Sequence, residues 1–335
     1  MRFGKIIAII MAALLFATAF VACDKGEKNE NGETAPVYYT VTFNTAGSED
    51  IEPRSVKSGT TLTEPVQPAR DGYVFEGWYN GTRQWDFSYT VKENMTLTAH
   101  WVTADTVFEH TLAADGENAV ITGIKNGKSR DNIYLPTQIG GRPVTEVGEG
   151  AFSKLSAEVI QSITLPDCIT VIGSNAFEGS TDIAITVKGD ITYVGEKAFF
   201  GCTGLEEIKL GDGIVTVAAE AFSGTGLKTV VLPKTVKTVD ENAFSECEAL
   251  KILILHDTVE TVKDMAFKGS GLQSVLLYGT AESFKTLIGE KLSGQNDEIV
   301  NAEKYIYSET QPVTDAPDGC KGFWHYNNKG EAKAW

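Results

Sequence analysis

Side chains able to do chemistry are few and scattered. The chain has four histidines (His100, His110, His256, His325) and five cysteines (Cys23, Cys168, Cys202, Cys247, Cys320) among 335 residues. No Cys/His group has the C-x-x-C or H-x-x-x-H spacing that a zinc site requires. Gly140-Gly141 is followed by no Gly-Lys-Ser/Thr, so it is a turn rather than a phosphate cradle. A G-x-S-x-G nucleophile elbow is missing too. The 45 carboxylates outnumber 29 Lys and Arg for a net charge of −16, and none stands in calcium-loop spacing. Such a surface repels phosphate backbones, so nucleic acid is excluded as a partner. Neither a catalytic residue nor a cofactor site is expected. His256 is the only histidine in the central part of the chain, between Ala-Phe pairs that recur at regular intervals.

Cys23 is the cysteine with a chemical context. Arg2 and Lys5 precede an apolar run from Ile6 to Phe20, too short to span a bilayer comfortably. Phe20-Val21-Ala22-Cys23 then resembles the bacterial lipobox, which implies that residues 1–22 are removed and Cys23 carries lipid. Ordinary signal cleavage beside an incidental cysteine is the rival reading. Residues 23–36 carry six charged side chains and almost nothing apolar, a disordered tether between membrane and fold.

Residues 37–104 read as a small β module. Tyr38–Asn44, Gly72–Tyr79 and Met95–Val102 alternate and are rich in β-branched and aromatic residues, with turn signals such as Asn80-Gly81 between them. The V-T-F-N opening, the G-Y-x-F-x-G-W-Y segment and the closing L-T-A-x-W resemble the Listeria–Bacteroides repeat. The resemblance implies a β-grasp-like domain of cell-envelope proteins. Phe75, Trp78 and Trp101 are either its core or a sugar-stacking surface.

Periodicity dominates residues 105–280. Ala-Phe recurs at 151, 176, 198, 221, 243 and 266, at spacings of 25, 22, 23, 22 and 23. Each unit also carries an L-x-x-V-x-L stretch, such as Leu227, Val230 and Leu232, whose period of two suits a short strand. A single coil of this kind cannot bury its apolar face, so neighbours must stack into a continuous core with the phenylalanines as a spine. The units, with their V-x-x-I-G-x-x-A-F-x-G-C pattern, resemble the BspA-type leucine-rich repeat. That implies a non-enzymatic solenoid on a bacterial surface, serving adhesion and protein binding. The fold class is therefore mainly β: a leucine-rich-repeat solenoid preceded by a small β-grasp-like module.

Phe108–Leu112 and Ala119–Ile124 are expected to form a hairpin covering one end, and residues 281–335 a helix and β cap at the other, with Thr280 as N-cap. Cys202 and Cys247 share one phase two coils apart. Their Cα atoms should be about 9–10 Å apart, too far for a disulfide. Outward strand positions are polar in early coils (Ser162, Thr164, Thr186, Glu207, Lys209) and apolar in late ones. Val231, Ile252, Ile254 and Leu276, with His256 and Tyr278 alongside, would merge into one stripe. Such a stripe is a binding face for an extracellular protein or glycan, a dimer contact, or a surface covered by the tail through Phe323, Trp324 and Tyr326. A structural spacer or envelope assembly subunit, and a wall-acting hydrolase, are the alternatives to recognition.

Overall fold

The computed structural model describes residues 36–125, 132–155, 160–292, 294–309, 320–326 and 332–334. The leader, Cys23 and the tether lie outside the described residues. The chain divides into two compact units: one runs up to Thr42 with Glu52–Glu64 and Asp86–Thr96, the other holds Phe43–Ile51, Pro65–Trp85 and everything from Leu97.

In the first unit, Tyr38 to Val41 pair antiparallel with Lys57 to Arg54, and Thr61 bridges Thr90. Alternation along the chain puts Val41, Val56, Leu62 and Val91 inside. In the second unit, Tyr73–Asn80 pairs antiparallel with the strand ending at Thr103. Trp78 is 1% exposed and meets Phe43 and Phe75 edge-on at 5.1 and 5.5 Å. Trp78 and Phe75 are therefore core, whereas Trp101 is half-buried with its indole N–H donated to the Thr45 carbonyl.

Phe108–Leu112 and Ala119–Ile124 form the antiparallel hairpin, and the second strand pairs parallel with Arg142–Val147. That ladder continues through Val171–Ile172 and Tyr193–Val194. It reappears as Thr216–Val217, Thr238–Val239 and Thr261–Val262, and Leu292 bridges Val262 beyond them. A second parallel ladder holds Asn132–Tyr134, Ser162–Leu165 and Ala184–Val187. After a gap it resumes as Thr229–Val231, Ile252–His256, Ser274–Tyr278, Glu303–Tyr307 and Gly322–Tyr326, closed by antiparallel Ala332–Ala334.

The gap corrects the expectation of a strand in every coil. No strand forms at Leu205, Ile208 and Leu210; only Leu210 bridges, to Ile191. Asp182 stands where the preceding coil needs leucine, with φ of 60° and its N–H bonded to the Thr203 hydroxyl. The next coil then comes so close at Gly204 that a Cβ would lie 2.0 Å from the Ile183 carbonyl oxygen. Close approach alone does not break the ladder: a Cβ at Gly226 or Gly271 would lie 2.2 Å from a carbonyl oxygen of the preceding coil, and regular strands follow both.

Between the ladders runs the phenylalanine spine. Rings 152, 177, 199, 222, 244 and 267 stack with centroids 5.2–5.7 Å apart and planes within 21°. Each Phe N–H donates to the Ala carbonyl of the following coil, as Phe222 does to Ala243 at 2.9 Å. A small residue suits that position beside the coil-to-coil backbone bonds; Ala176, Ala198, Ala221, Ala243 and Ala266 are fully buried. The last ring has no following coil. Buried Asn296 supplies an acceptor instead, its Oδ1 taking the Phe267 N–H at 3.2 Å while its amide donates to the Lys263 carbonyl. Glu298 likewise accepts the Gly269 N–H, where earlier coils use a backbone carbonyl. Two side chains thus imitate the backbone of a further coil. Thr280 caps the helix Ala281–Thr286, accepting the Ser283 N–H.

Two residues per coil take left-handed φ. The one before Ala is Gly150, Asn175, Lys197, Glu220, Asn242 or Met265, and the one two after Phe is Lys154, Gly179, Gly201, Gly224, Glu246 or Gly269. A Cβ at Gly224 would meet only ordinary contacts at 3.5 Å. Gly224→Ala should therefore cost about 1 kcal/mol, the left-handed penalty alone, read as a shifted urea midpoint at unchanged m-value. A neutral result would show that the turn relaxes into another conformation.

Cys202 and Cys247 are free and fully buried, their thiols donating to the carbonyls of Phe177 and Phe222. Burial pushes the Cys202 thiol up to about 12 and raises Cys247 as well.

Candidate functional site

The stripe foreseen on the late coils is set by the second ladder. Parallel register aligns Val231 with Ile254, Leu276 and Tyr305, and aligns His256 with Tyr278. Tyr307 pairs with Trp324 one strand on. Parallel pairing without stagger places like positions in rows, so outward side chains touch across coils.

The six candidate residues separate into two groups. Ile254 and Leu276 are 2% and 6% exposed. The ring of Trp324, itself fully buried, packs with them, and its indole N–H donates to the Leu277 carbonyl at 3.4 Å. The stripe is therefore not continuous: the tail covers its middle, because an indole on an aliphatic pair removes more apolar surface from water than solvation of either would allow. Val231 remains 42% exposed, while Ile252, His256 and Tyr278 are half-buried at the margin. Of the tail residues, Trp324 is the cover, Phe323 joins the main core and Tyr326 stays exposed. An early position also departs from expectation: Thr164, read as an outward polar residue, is buried.

The margin is an aromatic row. His256 stacks on Tyr278 at 4.6 Å and 10°, and Tyr278 lies 4.5 Å from Tyr307. Trp324 meets Tyr278, Tyr307 and Tyr326 edge-on at 4.8–5.3 Å. Tyr305 and Tyr307 were absent from the expected face. Their signal was present in the alternation Tyr305-Ile306-Tyr307, a strand pattern inside what read as tail.

The row is electrically neutral. Burial pushes the His256 imidazole below its usual range, opposed by Asp257 and Asp212 and reinforced by Lys234. Burial and a hydrogen bond with Tyr326 push the Tyr278 hydroxyl far up. Both side chains are therefore uncharged at neutral pH. Among the described residues, no group of three or more His, Cys, Asp and Glu side chains could hold a metal ion. Glu298 and Glu303, which share a cleft with Asp297, are already engaged, by Gly269 and by Lys321 with Tyr305.

Lowered His256 has a stability consequence. Its folded pKa lies below the unfolded value near 6.5, so the fold favours the neutral ring. That stability is complete above the unfolded value and is lost as pH falls through the folded one. The melting temperature of the wild type should drop more than that of His256→Phe between pH 7.5 and 5. Parallel pH profiles would show that burial of the ring carries no linkage.

Comparison with known proteins identifies the parts. Residues 130–251 and 183–288 match the profile of the BspA type Leucine rich repeat region, in six copies. Residues 130–288 of the solenoid are thus similar to this repeat region. Residues 39–100 match the Listeria-Bacteroides repeat domain. Internalin H of Listeria monocytogenes is 42% identical over 53 residues, 15% of this chain and 9% of that protein. A Gly-rich membrane protein of Evansella cellulosilytica is 39% identical over 67 residues, 19% of this chain. The chain spans 8% of that second relative's length. Two solved structures are similar. A leucine rich cell surface protein from Faecalibacterium prausnitzii is 23% identical, covering 68% of this chain and 58% of the other, with a TM-score of 0.45. A leucine-rich repeat protein from Bacteroides ovatus is 20% identical, covering 65% and 59%, with a TM-score of 0.39.

Proposed function

We propose that this chain is a non-enzymatic recognition protein of the bacterial envelope, held to a membrane by lipid on Cys23. It presents the margin of its last coils to an extracellular protein or glycan. The observation that carries the reading is the neutral aromatic row of His256, Tyr278, Tyr307 and exposed Tyr326, flanked by exposed Val231. Aromatic residues with a polar tip are enriched in recognition surfaces because they offer area and hydrogen bonds at low entropic cost. The repeat family supports a recognition-type role in general. Among the described residues no helix is long and apolar enough to cross a membrane, which suits attachment through the leader instead.

Two experiments test the reading. Cys23→Ser should move the protein from the membrane fraction to the medium; unchanged fractionation would remove the lipid anchor from the account. The full chain should be retained by at least one member of an array of purified extracellular proteins and glycans. Retention by none would favour a spacer.

A further inference from the structure

We propose that a small pocket in the second compact unit, separate from the aromatic row, is a subsite for an acidic saccharide residue. The pocket lies where Pro68–Arg70, Tyr73, Phe75 and Trp101 face Tyr134, Pro136 and Lys188, and it encloses about 80 Å³. One water needs about 10–15 Å³ by the same measure, so the space takes several waters or one ring-sized group. It is far smaller than a pocket for a whole organic ligand, so it suits one unit of a longer chain.

Charge and shape select the class. The lining contains two cations and no carboxylate, in a chain of net charge −16. Arg70 is held in place: its guanidinium lies 3.9 Å above the Tyr73 ring, and one nitrogen donates to the Ala46 carbonyl. Lys188 is exposed, 5.8 Å above the Tyr134 ring, and no carboxylate among the described residues pairs with it. This contrasts with Lys197, Lys209, Lys228, Lys237 and Lys263, each in an ion pair with a carboxylate of an adjacent coil. The acid nearest in sequence, Asp71, is not among the lining residues; its carboxylate accepts from the Thr137 hydroxyl at 2.5 Å and from the Gln138 amide. Two cations stacked on aromatic faces are oriented before a ligand arrives, which lowers the ordering cost of binding an anion. Aromatic and proline walls suit the C–H face of a sugar ring, and the Gln67 and Thr137 side chains that also line the pocket suit its hydroxyls. A carboxylate on that ring completes the match, since charge-assisted hydrogen bonds to Arg and Lys are the strong ones.

The test uses the full chain and a galacturonic acid trisaccharide, with the neutral galactose trisaccharide and a poly-glutamate hexapeptide as comparisons, in calorimetric titrations at low salt. The expected result is saturable binding of the acidic saccharide only, weakened about tenfold by Lys188→Gln and by added salt. Tyr134→Leu, melting as the wild type does, should weaken it too. Val231→Asp should leave this binding unchanged, so its outcome is independent of the aromatic row. Absence of binding, equal binding of the neutral sugar, binding of the peptide instead, or indifference to Lys188→Gln would each overturn the proposal.

Discussion

Phe222→Ala should lower the free energy of unfolding by about 3–5 kcal/mol. Its ring is fully buried, 5.7 Å from Phe199 and 5.3 Å from Phe244, so truncation opens a void facing both neighbours. Stability in a stack is a sum of coils and of interfaces between adjacent coils. Losing an interior ring weakens two interfaces together and should also uncouple the halves on either side. Urea unfolding should show a lower midpoint and a smaller apparent m-value, the sign that the transition is no longer all-or-none. The terminal ring Phe267 has one ring neighbour, Phe244, and Phe267→Ala should keep the m-value. A loss below about 1 kcal/mol at Phe222 would mean that the spine does not hold the coils together.

Ile254→Asp should be worse, on the order of 4–5 kcal/mol, because a carboxylate would be buried against the apolar side chains of Leu276 and Trp324. Trp324 should gain solvent as its platform fails, so part of the tryptophan emission should shift to the red below the main transition. Ile252→Asp, two residues away on the half-buried margin, should cost far less. Equal effects at the two positions would mean that the tail does not cover the stripe, and that the apolar surface is open from Val231 to Tyr278.

How much of this was legible in the sequence differs by element. Ala-Phe at 22–25 residues shows the coil and the spine, because a stacked ring must recur in phase. The hairpin Phe108–Leu112 with Ala119–Ile124 was legible from its alternation and the Asp115-Gly116 turn; Asp115 accepts the N–H groups of Glu117 and Asn118. The left-handed residue before each Ala was not legible, since Asn175, Lys197, Glu220 and Met265 share no chemistry. That conformation is imposed by the ladder on both sides rather than by local preference. Asn296 and Glu298 carried no signal either: a side chain standing in for an absent backbone has no periodic partner. At the candidate site, sequence alternation identified which side chains face outward, but not which of them the tail would cover. Covering Ile254 and Leu276 depends on where Gly322–Tyr326 docks, and that contact joins positions about seventy and fifty residues apart. No pattern within a single coil contains it.

We propose that the open margin of the last coils recognises an extracellular ligand while the covered middle only stabilises the fold. The most direct measurement is retention of the full chain on an array of purified extracellular proteins and glycans. Wild type is to be compared with the pair Val231→Asp and Tyr326→Asp, both at exposed positions, with melting temperatures recorded alongside. The pair is expected to melt within a few degrees of the wild type and to lose at least one ligand that the wild type retains. A pair that melts normally and keeps every ligand of the wild type would contradict the proposal.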